Sequence, residues 1–252
     1  MEMLNYHIDE ELSARWDREW LQYLAEPTNN PRVYFVSHEG LKSISDLRDR
    51  TAEEVYNLHL FSEDRAGDLG PIRLWVNGND IIGKKVLEIG CGAGFSGKQL
   101  SKFAAAYLGI DYSQLALQIA RLTSPENCFF YHISDIDGIA AHKETVDLMV
   151  CRDFFIHQNY KTALTTVRLA SGLLKPGGTL TADFFVENLE IGSPVTHPAS
   201  SDLDGQFPSC AFVFSMEEIS LLAQESGLVV EEVTDRKGLR RRFVRYRKPD
   251  RL

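Results

Sequence analysis

The stretch from Val86 to Asp111 constrains the fold of this chain more than any other. It reads VLEIGCGAGFSGKQLSKFAAAYLGID, so a short apolar run meets three closely spaced glycines and a second apolar run ends in an acidic residue. This order predicts a strand, a tight turn, a helix and a second strand with a carboxylate at its tip. Glycine lets the backbone approach a ligand closely, and Asp111 can accept hydrogen bonds from a ribose diol. The stretch therefore predicts a site for a ribose-bearing ligand.

The glycines fit two kinds of adenosine ligand. Gly90, Gly92 and Gly94 form the G-x-G-x-G turn that accompanies S-adenosylmethionine. Gly92, Gly94 and Gly97 form G-x-G-x-x-G, close to the dinucleotide fingerprint. Glu88 favours the first interpretation, because its carboxylate would repel a pyrophosphate, whereas S-adenosylmethionine carries a sulfonium and an ammonium group. The glycine pattern alone leaves both ligands open.

Further stretches match one family in the same order along the chain. They are Asp111, the pair Asp135-Ile136, the apolar strand Val146–Cys151 and the stretch LLKPGGTLTADFF at 173–185. On these residues the chain resembles the class I S-adenosylmethionine-dependent methyltransferases from about Gly83 to Lys248. The Lys-Pro-Gly-Gly stretch is not expected in a nicotinamide dehydrogenase. The resemblance implies an enzyme with S-adenosylmethionine as cofactor and S-adenosylhomocysteine as product.

The order of predicted elements favours one architecture. Strands and helices that alternate from about residue 72 to 185 predict an α/β fold with a doubly wound, mainly parallel sheet. The resemblance implies seven strands in the Rossmann-like methyltransferase arrangement. The last two predicted strands, Val229–Val233 and Arg242–Arg247, are joined by a short turn, so the last strand should run antiparallel to the others.

Three regions follow from this order. Residues 71–252 should form the S-adenosylmethionine-binding methyltransferase domain. Within it, the segment at about 186–215 is too long for a simple connection and is expected to be a substrate-loop insertion. Residues 1–70 have helical periodicity and form an N-terminal helical extension, which we expect to act as a lid or substrate segment. Its candidate lid residues, whose two tryptophans could instead simply pack on the core, are Tyr6, His7, Trp16 and Trp20.

The resemblance implies a set of cofactor-binding residues at the carboxyl ends of the strands. Asp111 would accept from the ribose, Tyr112 would cover the adenine edge, and Asp135 and the Ile136 amide would bind the adenine ring. Glu88 and the Cys151 carbonyl would face the methionine ammonium. The full set is Glu88, Gly90, Cys91, Gly92, Gly94, Asp111, Tyr112, Asp135, Ile136, Cys151 and Arg152.

Several of these residues also have a purely structural interpretation. Asp111 could cap the following helix, and Tyr112 could simply pack. Asp135 could be a turn residue beside Asp137-Gly138, and Glu88 could anchor the backbone amides of the glycine turn. These alternatives stay open at the level of sequence.

One residue is the candidate catalytic base. Methyl transfer from a sulfonium needs mainly an in-line approach, but an oxygen nucleophile must also lose its proton. His157 lies in the segment after the fourth strand, where family members place such a residue, and the ordinary pKa of histidine suits this task. Packing within the following helix is the alternative. Asp153 and Tyr160 are weaker candidates.

The same segment bears on the acceptor. It lacks the Asn/Asp-Pro-Pro-Tyr motif of enzymes that methylate planar amino nitrogens in nucleic-acid bases and glutamine. Phe154 and Phe155 stand near that place and would offer an apolar wall to a small molecule. Asp153 has no obvious carboxylate partners, so we expect no metal. We therefore predict methyl transfer to the oxygen or nitrogen of a small organic acceptor, with carbon as a further alternative.

The charge distribution supports one alternative acceptor. The formal net charge is -9, yet residues 236–251 hold nine basic residues and one acid. This basic stretch could bind RNA or an acidic protein, which would make the chain an RNA or protein methyltransferase; pairing with the acidic body is the simpler interpretation. We expect no nucleic-acid partner. A non-catalytic regulatory or scaffold protein that binds S-adenosylmethionine is the alternative from another class, but the glycine turn and the ribose acid are both intact.

The remaining composition suggests a setting. No apolar run approaches the ~20 residues that cross a bilayer, and the N-terminal stretch is too polar for a signal peptide. The four cysteines show no C-x-x-C pair. We expect a cytoplasmic protein without membrane contact.

Overall fold

A computed structural model describes residues 10–25, 78–186, 195–203, 210–236 and 241–250 of the chain. The predicted boundary near residue 70 lies outside these ranges, as do Tyr6 and His7. Within the described part of the chain, no helix is long and apolar enough to cross a membrane.

The described elements alternate as the sequence predicts. The helices are α1 (Glu10–Ala25), α2 (Gly78–Ile81), α3 (Phe95–Leu100), α4 (Gln114–Thr123), α5 (Ile136–Ala140), α6 (Tyr160–Leu173) and α7 (Met216–Glu225), with a 3-10 turn at Phe155–His157. The strands are β1 (Lys85–Ile89), β2 (Ala106–Asp111), β3 (Cys128–His132), β4 (Val146–Cys151), β5 (Leu174–Phe185), β6 (Val195–Pro198), β7 (Cys210–Val213), β8 (Val229–Arg236) and β9 (Arg241–Arg247).

The strands form one mixed sheet. Strands β3, β2, β1, β4 and β5 lie side by side and run parallel, and β9 pairs antiparallel with both β5 and β8. This confirms the doubly wound sheet with an antiparallel last strand. It also brings the carboxyl ends of β1 to β4 to one edge.

The predicted insertion adds to the sheet. Two short strands, β6 and β7, come from the segment at about 186–215 and pair parallel with each other, and β7 also pairs with the end of β5. Among the described residues the sheet therefore has nine strands, where the resemblance implied seven. These hydrogen bonds hold part of the insertion beside the carboxyl end of β5.

Local side-chain bonds fix where the helices begin. The Ser113 hydroxyl accepts from the Ala116 amide at the start of α4, and the Asn159 side chain accepts from the Thr162 amide at the start of α6. Such caps satisfy amides that the first helical turn leaves without a partner, and each stabilises its helix by about 1 kcal/mol. Both helices begin at the carboxyl edge of the sheet.

The core lies on both faces of the sheet. Neighbouring residues of β1 point to opposite faces, so Leu87 and Ile89 join one buried cluster while Val86 joins another. All three are at most 1% exposed, as expected for strands covered by helices on both sides. Truncation of Leu87 to alanine would cost roughly 2–5 kcal/mol, because it removes buried area and leaves a cavity.

Candidate functional site at the carboxyl edge of the sheet

The glycine turn links β1 to α3 through left-handed backbone. Gly90, Gly92 and Gly94 have φ of +79°, +52° and +79°, a conformation that favours glycine. Space is also short, because a Cβ on Gly90 would lie 2.6 Å from the Phe154 ring. The amides of Gly90 and Cys91 donate to the Ile110 carbonyl at 2.8 and 3.2 Å. The turn is therefore held against the end of β2.

Asp111 joins the glycine turn to the loop after β2. Its Oδ2 accepts from the Gly92 amide and its Oδ1 from the Ser113 amide, both at 2.8 Å. Burial raises the pKa of this carboxyl, and the amide hydrogen bonds oppose that rise. Each carboxylate oxygen has two lone pairs, so both oxygens keep capacity to accept from a ligand. The carboxylate is fixed in place at the predicted ribose position.

Glu88 points into the protein rather than toward the backbone amides of the turn. The Tyr107 hydroxyl donates to its Oε2, and both side chains are buried. Burial raises the pKa of Glu88 to about 7, against the lowering effect of hydrogen bonds from Tyr107 and Ser96. A contact with the methionine ammonium stays a prediction for this residue.

The predicted adenine residues lie at the ends of β2 and β3. Tyr112 stacks on Phe154, with ring centroids 6.2 Å apart and an interplanar angle of 7°. Asp135 is exposed and caps α5, where its Oδ1 accepts from the Gly138 amide at 3.0 Å. Ile136, the first residue of α5, is 38% exposed. The turn interpretation of Asp135 is thus present, and it leaves the carboxylate accessible at this edge.

The last two predicted cofactor residues end β4. Cys151 is fully buried, and burial raises the pKa of its thiol, so the side chain acts as a packed apolar group. Arg152 follows it and lies with its Nε 3.5 Å from an Asp153 carboxylate oxygen. Arg152 also contributes to the charge around Glu88. Both residues therefore lie beside the glycine turn, as predicted.

A cluster of ion pairs that sequence reasoning missed fixes the start of the segment after β4. Asp153 has φ of +54°, a strained conformation for a residue with a Cβ. Its amide donates to Asp183 Oδ1 at 2.8 Å, and Nη1 of Arg241 bridges the carboxylates of Asp153 and Asp183. Arg241 also lies 5.0 Å from the centroid of the Phe185 ring. The last strand thereby holds the loop that carries His157.

His157 ends the 3-10 turn and is half-buried. The Trp16 ring meets its imidazole edge to face, with centroids 5.2 Å apart. Gln158 and Asn159 follow, and both are buried. The candidate base therefore lies between α1 and the segment that begins α6.

Helix α1 packs against the loop after β2 and the start of α4. The Ser13 hydroxyl donates to the Tyr112 carbonyl at 2.6 Å. The Asp17 carboxylate accepts from the Ser113 hydroxyl at 2.6 Å and from the Leu115 amide at 3.0 Å. The tryptophan spacing predicted this helix, but no sequence signal marked Ser13 or Asp17 as contacts to β2 and α4.

Acids pair with four arginines of the basic C-terminal stretch, which are Arg241, Arg242, Arg245 and Arg247. Arg242 binds Asp235 through two nitrogens, at 2.6 and 3.0 Å. Arg245 binds Asp80 at 3.0 and 3.2 Å. These contacts match the simpler interpretation of the basic stretch. Residues 237–240 lie outside the described ranges.

The described residues contain no group of three or more His, Cys, Asp or Glu side chains that could hold a metal ion. The carboxylates that do meet at this edge, Asp153 and Asp183, share Arg241 instead.

Comparison with known proteins identifies the family. A methyltransferase domain model matches residues 86–178. The ubiquinone biosynthesis O-methyltransferase of Thiobacillus denitrificans is 30% identical over 176 residues, which cover 66% of this chain and 75% of that protein. The chain belongs to the class I S-adenosylmethionine-dependent methyltransferases.

Other members of this methyltransferase family match over varying lengths. The enzyme of the same name from Aromatoleum aromaticum is 32% identical over 146 residues, or 55% of this chain and 58% of that protein. The match to its counterpart in Cupriavidus pinatubonensis covers 51% of that protein. The chain thus spans about half to three quarters of the length of these curated relatives.

Solved structures confirm the fold. Magnesium protoporphyrin IX methyltransferase from Synechocystis PCC 6803, solved with bound S-adenosylhomocysteine, gives a TM-score of 0.57 at 16% identity and covers 92% of this chain and 99% of that one. A methyltransferase from Methanosarcina mazei gives a TM-score of 0.51 at 19% identity, over 71% of this chain and 97% of that one. The described sheet and its flanking helices therefore have the methyltransferase fold.

Proposed function

We propose that this protein transfers the methyl group of S-adenosylmethionine to a small organic acceptor, at oxygen or nitrogen. The observation that carries the proposal is the Asp111 carboxylate, which is fixed by the Gly92 amide at the predicted ribose position while His157 lies at the same edge. Oxygen is the favoured acceptor atom, because the curated relatives are named as O-methyltransferases.

The described residues fit this cofactor. The left-handed glycine turn allows close backbone approach, and Asp111 keeps lone pairs for a ribose diol. The exposed Asp135 carboxylate would bind adenine, and Tyr112 would lie beside it. The Ile136 amide donates to the Ser134 carbonyl at 2.9 Å, so it would bind adenine only by giving up that bond. Glu88, Cys151 and Arg152 would surround the methionine end. When bound, the cofactor supplies a methyl group already activated by its sulfonium.

The chain would then supply orientation, a dry site and a base. As the S–CH₃ bond breaks and the O–CH₃ bond forms, the proton of an acceptor hydroxyl would pass to His157. Phe154 offers an apolar wall, stacked on Tyr112. Exclusion of water strengthens every electrostatic interaction within the site.

Helix α1 would act as the lid of this site. Its Trp20 side chain lies against Gly92, within 2.8 Å of where a Cβ would stand, and its Trp16 ring meets His157. One helix thus contacts both the cofactor turn and the candidate base. Opening of α1 would admit the cofactor, and closing would exclude water.

The alternative functions have less support. The RNA or protein methyltransferase alternative depends on the basic C-terminal stretch, and acids already pair with Arg241, Arg242 and Arg245 there. A non-catalytic binding protein would need no base beside the cofactor site. The described cysteines 91, 128 and 151 are free thiols, in keeping with the proposed cytoplasmic setting.

Calorimetric titration with S-adenosylhomocysteine and, separately, NAD tests the cofactor. Micromolar binding of S-adenosylhomocysteine alone is expected. Transfer of radiolabelled methyl groups to a panel of phenols, catechols, aromatic acids and amines then tests the acceptor class. Binding of NAD alone would overturn the cofactor assignment, and binding without methyl transfer to any panel member would favour the non-catalytic alternative.

A further inference from the structure

Two residues that touch or adjoin His157 carry buried polar atoms without a partner among the described residues. Among the described residues, no hydrogen-bond partner exists for the indole Nε1 of Trp16 or for either polar atom of the Gln158 carboxamide. Trp16 contacts the His157 ring, and Gln158 is the next residue in the chain. Gln158 is 1% exposed. Three unpaired polar atoms thus belong to residues that touch or adjoin the candidate base.

A buried polar atom without a partner destabilises the folded state, because burial removes its hydrogen bonds to water and no protein group replaces them. Buried polar groups in native proteins nearly always have partners, so exceptions call for a reason. A leucine at position 158 or a phenylalanine at position 16 would fill similar space without this cost. Proteins tolerate this loss of stability mainly at functional sites.

The local fold does not need the Gln158 carboxamide. The Gln158 amide donates to the Phe155 carbonyl, and Asn159 caps α6 with its own side chain. Asn159 Nδ2 also donates to the Leu203 carbonyl, and the Tyr160 amide donates to the Ala199 carbonyl. These backbone and neighbouring contacts hold the segment against the insertion. The carboxamide lies in a fixed segment without a structural task.

We propose that Trp16 and Gln158 bind the methyl acceptor beside His157 and recognise an oxygen function on it. An indole N–H only donates, whereas a carboxamide both donates and accepts. A hydroxyl or carboxyl group satisfies both side chains, whereas an alkylammonium group cannot accept from Trp16. The inference rests on the proposed function and narrows its acceptor to an oxygen-bearing small molecule.

Two variants test the inference, Gln158→Leu and Trp16→Phe, with Gln224→Leu on the exposed surface of α7 as the control. Each is compared with the unaltered chain in melting temperature, in S-adenosylhomocysteine affinity and in KM for the best oxygen acceptor of the panel. We expect KM to rise roughly tenfold in each test variant, the loss of about one hydrogen bond. The cofactor affinity should not change in either variant, and the melting temperature of Gln158→Leu should stay level or rise. The control should match the unaltered chain in all three.

The other outcomes separate this inference from the proposal beneath it. An unchanged KM in both variants overturns the inference and leaves the methyltransferase intact. A clear fall in the melting temperature of Gln158→Leu assigns the carboxamide to the fold and also overturns the inference. Methyl transfer to amines alone overturns the oxygen recognition but not the cofactor. Failure of S-adenosylhomocysteine to bind the unaltered chain removes the proposed function itself.

Discussion

The indole of Trp20 covers the backbone of Gly92, the central glycine of the turn. A Cβ built on Gly92 would lie 2.8 Å from Cζ2 of that indole, and the Gly92 amide on the other side donates to Asp111. The turn is therefore enclosed between a carboxylate that orients it and an aromatic ring from α1. Any ligand that reaches this turn must share the space with the ring or displace it.

Replacement of Gly92 by alanine should weaken the affinity for S-adenosylhomocysteine and destabilise the fold. Two effects contribute: the left-handed φ of +52°, which costs about 1–2 kcal/mol for a residue with a Cβ, and the contact with Trp20. A double-mutant cycle that combines Gly92→Ala with Trp20→Leu, with stability measured by urea denaturation, separates the two effects. We expect Trp20→Leu to recover part of the lost stability. Full additivity of the two changes would contradict a direct contact.

Replacement of Asp111 by alanine should weaken S-adenosylhomocysteine binding at least tenfold. The change removes the acceptor for the Gly92 and Ser113 amides and the predicted partner of the ribose, and each lost hydrogen bond to a charged group is worth about 1.5–3 kcal/mol. Calorimetry provides the measurement, and Asp137→Ala, an exposed carboxylate in α5, is the matched control. Equal affinity in Asp111→Ala and the unaltered chain would refute the ribose assignment.

Replacement of His157 by asparagine should lower kcat about a hundredfold and leave the affinity for S-adenosylhomocysteine unchanged. The matched control is His142→Asn. His142 lies between α5 and β4, where its ring contacts the Tyr131 hydroxyl and Lys85 at the start of β1 is a nearby charge. A variant with full activity would assign His157 to packing against Trp16.

Arg241 should matter far more for stability than its neighbour Arg242. Arg241→Met leaves Asp153 and Asp183 buried without their shared cation, which should cost about 3–5 kcal/mol. Arg242→Met, which frees only the half-exposed Asp235, should cost at most about 1 kcal/mol. Urea denaturation measures both.

The pH dependence sharpens this comparison. Burial and the Asp153 charge already raise the pKa of Asp183 to about 6, and loss of Arg241 should raise it further. A raised carboxyl pKa destabilises the fold above that pKa. The deficit of Arg241→Met should therefore be greatest near pH 8 and shrink toward pH 5. A deficit independent of pH would show that packing on Phe185, rather than charge, explains the effect.

Local sequence patterns predicted the elements that local chemistry fixes. The glycine turn and Asp111 lie where the strand–turn–helix–strand pattern indicated, and Ser215 caps α7 with Glu218 in the capping box. The short link between β8 and β9 predicted an antiparallel last strand, which the pairing confirms. Each of these features depends on residues a few positions apart.

The features that sequence reasoning missed depend on residues far apart in the chain. The Arg241 bridge spans 88 positions to Asp153 and 58 to Asp183, and Ser13 reaches across 99 positions to Tyr112. Strands β6 and β7 come from a segment rich in Pro, Ser and Gly that resembled a loop, and their pairing with each other and with β5 supplies the order. No periodicity in one sequence encodes such partners.

The buried carboxyl of Glu88 should make the stability of the fold depend on pH. Burial raises its pKa from the ordinary 4.5 to about 7, so the folded protein binds more protons than the unfolded chain between these values, and stability should fall as the pH rises through this window. The difference amounts to about 3 kcal/mol. Glu88→Gln keeps an acceptor for the Tyr107 hydroxyl and removes the titration, so it should gain stability over the unaltered chain near pH 8 but not near pH 4. Equal pH slopes in the two proteins would contradict a raised pKa.

The same variant tests the predicted contact between Glu88 and the methionine ammonium. A nearby cation favours the charged carboxylate, so cofactor binding near pH 6.5 should release a proton from Glu88. Titration of S-adenosylhomocysteine in buffers of different ionisation enthalpy measures that proton. Asp111 and Asp183, whose pKa values are also raised, are present in both proteins and cancel in the comparison. Release in the unaltered chain but not in Glu88→Gln would assign Glu88 to the cofactor, and equal release would leave it as the buried partner of Tyr107.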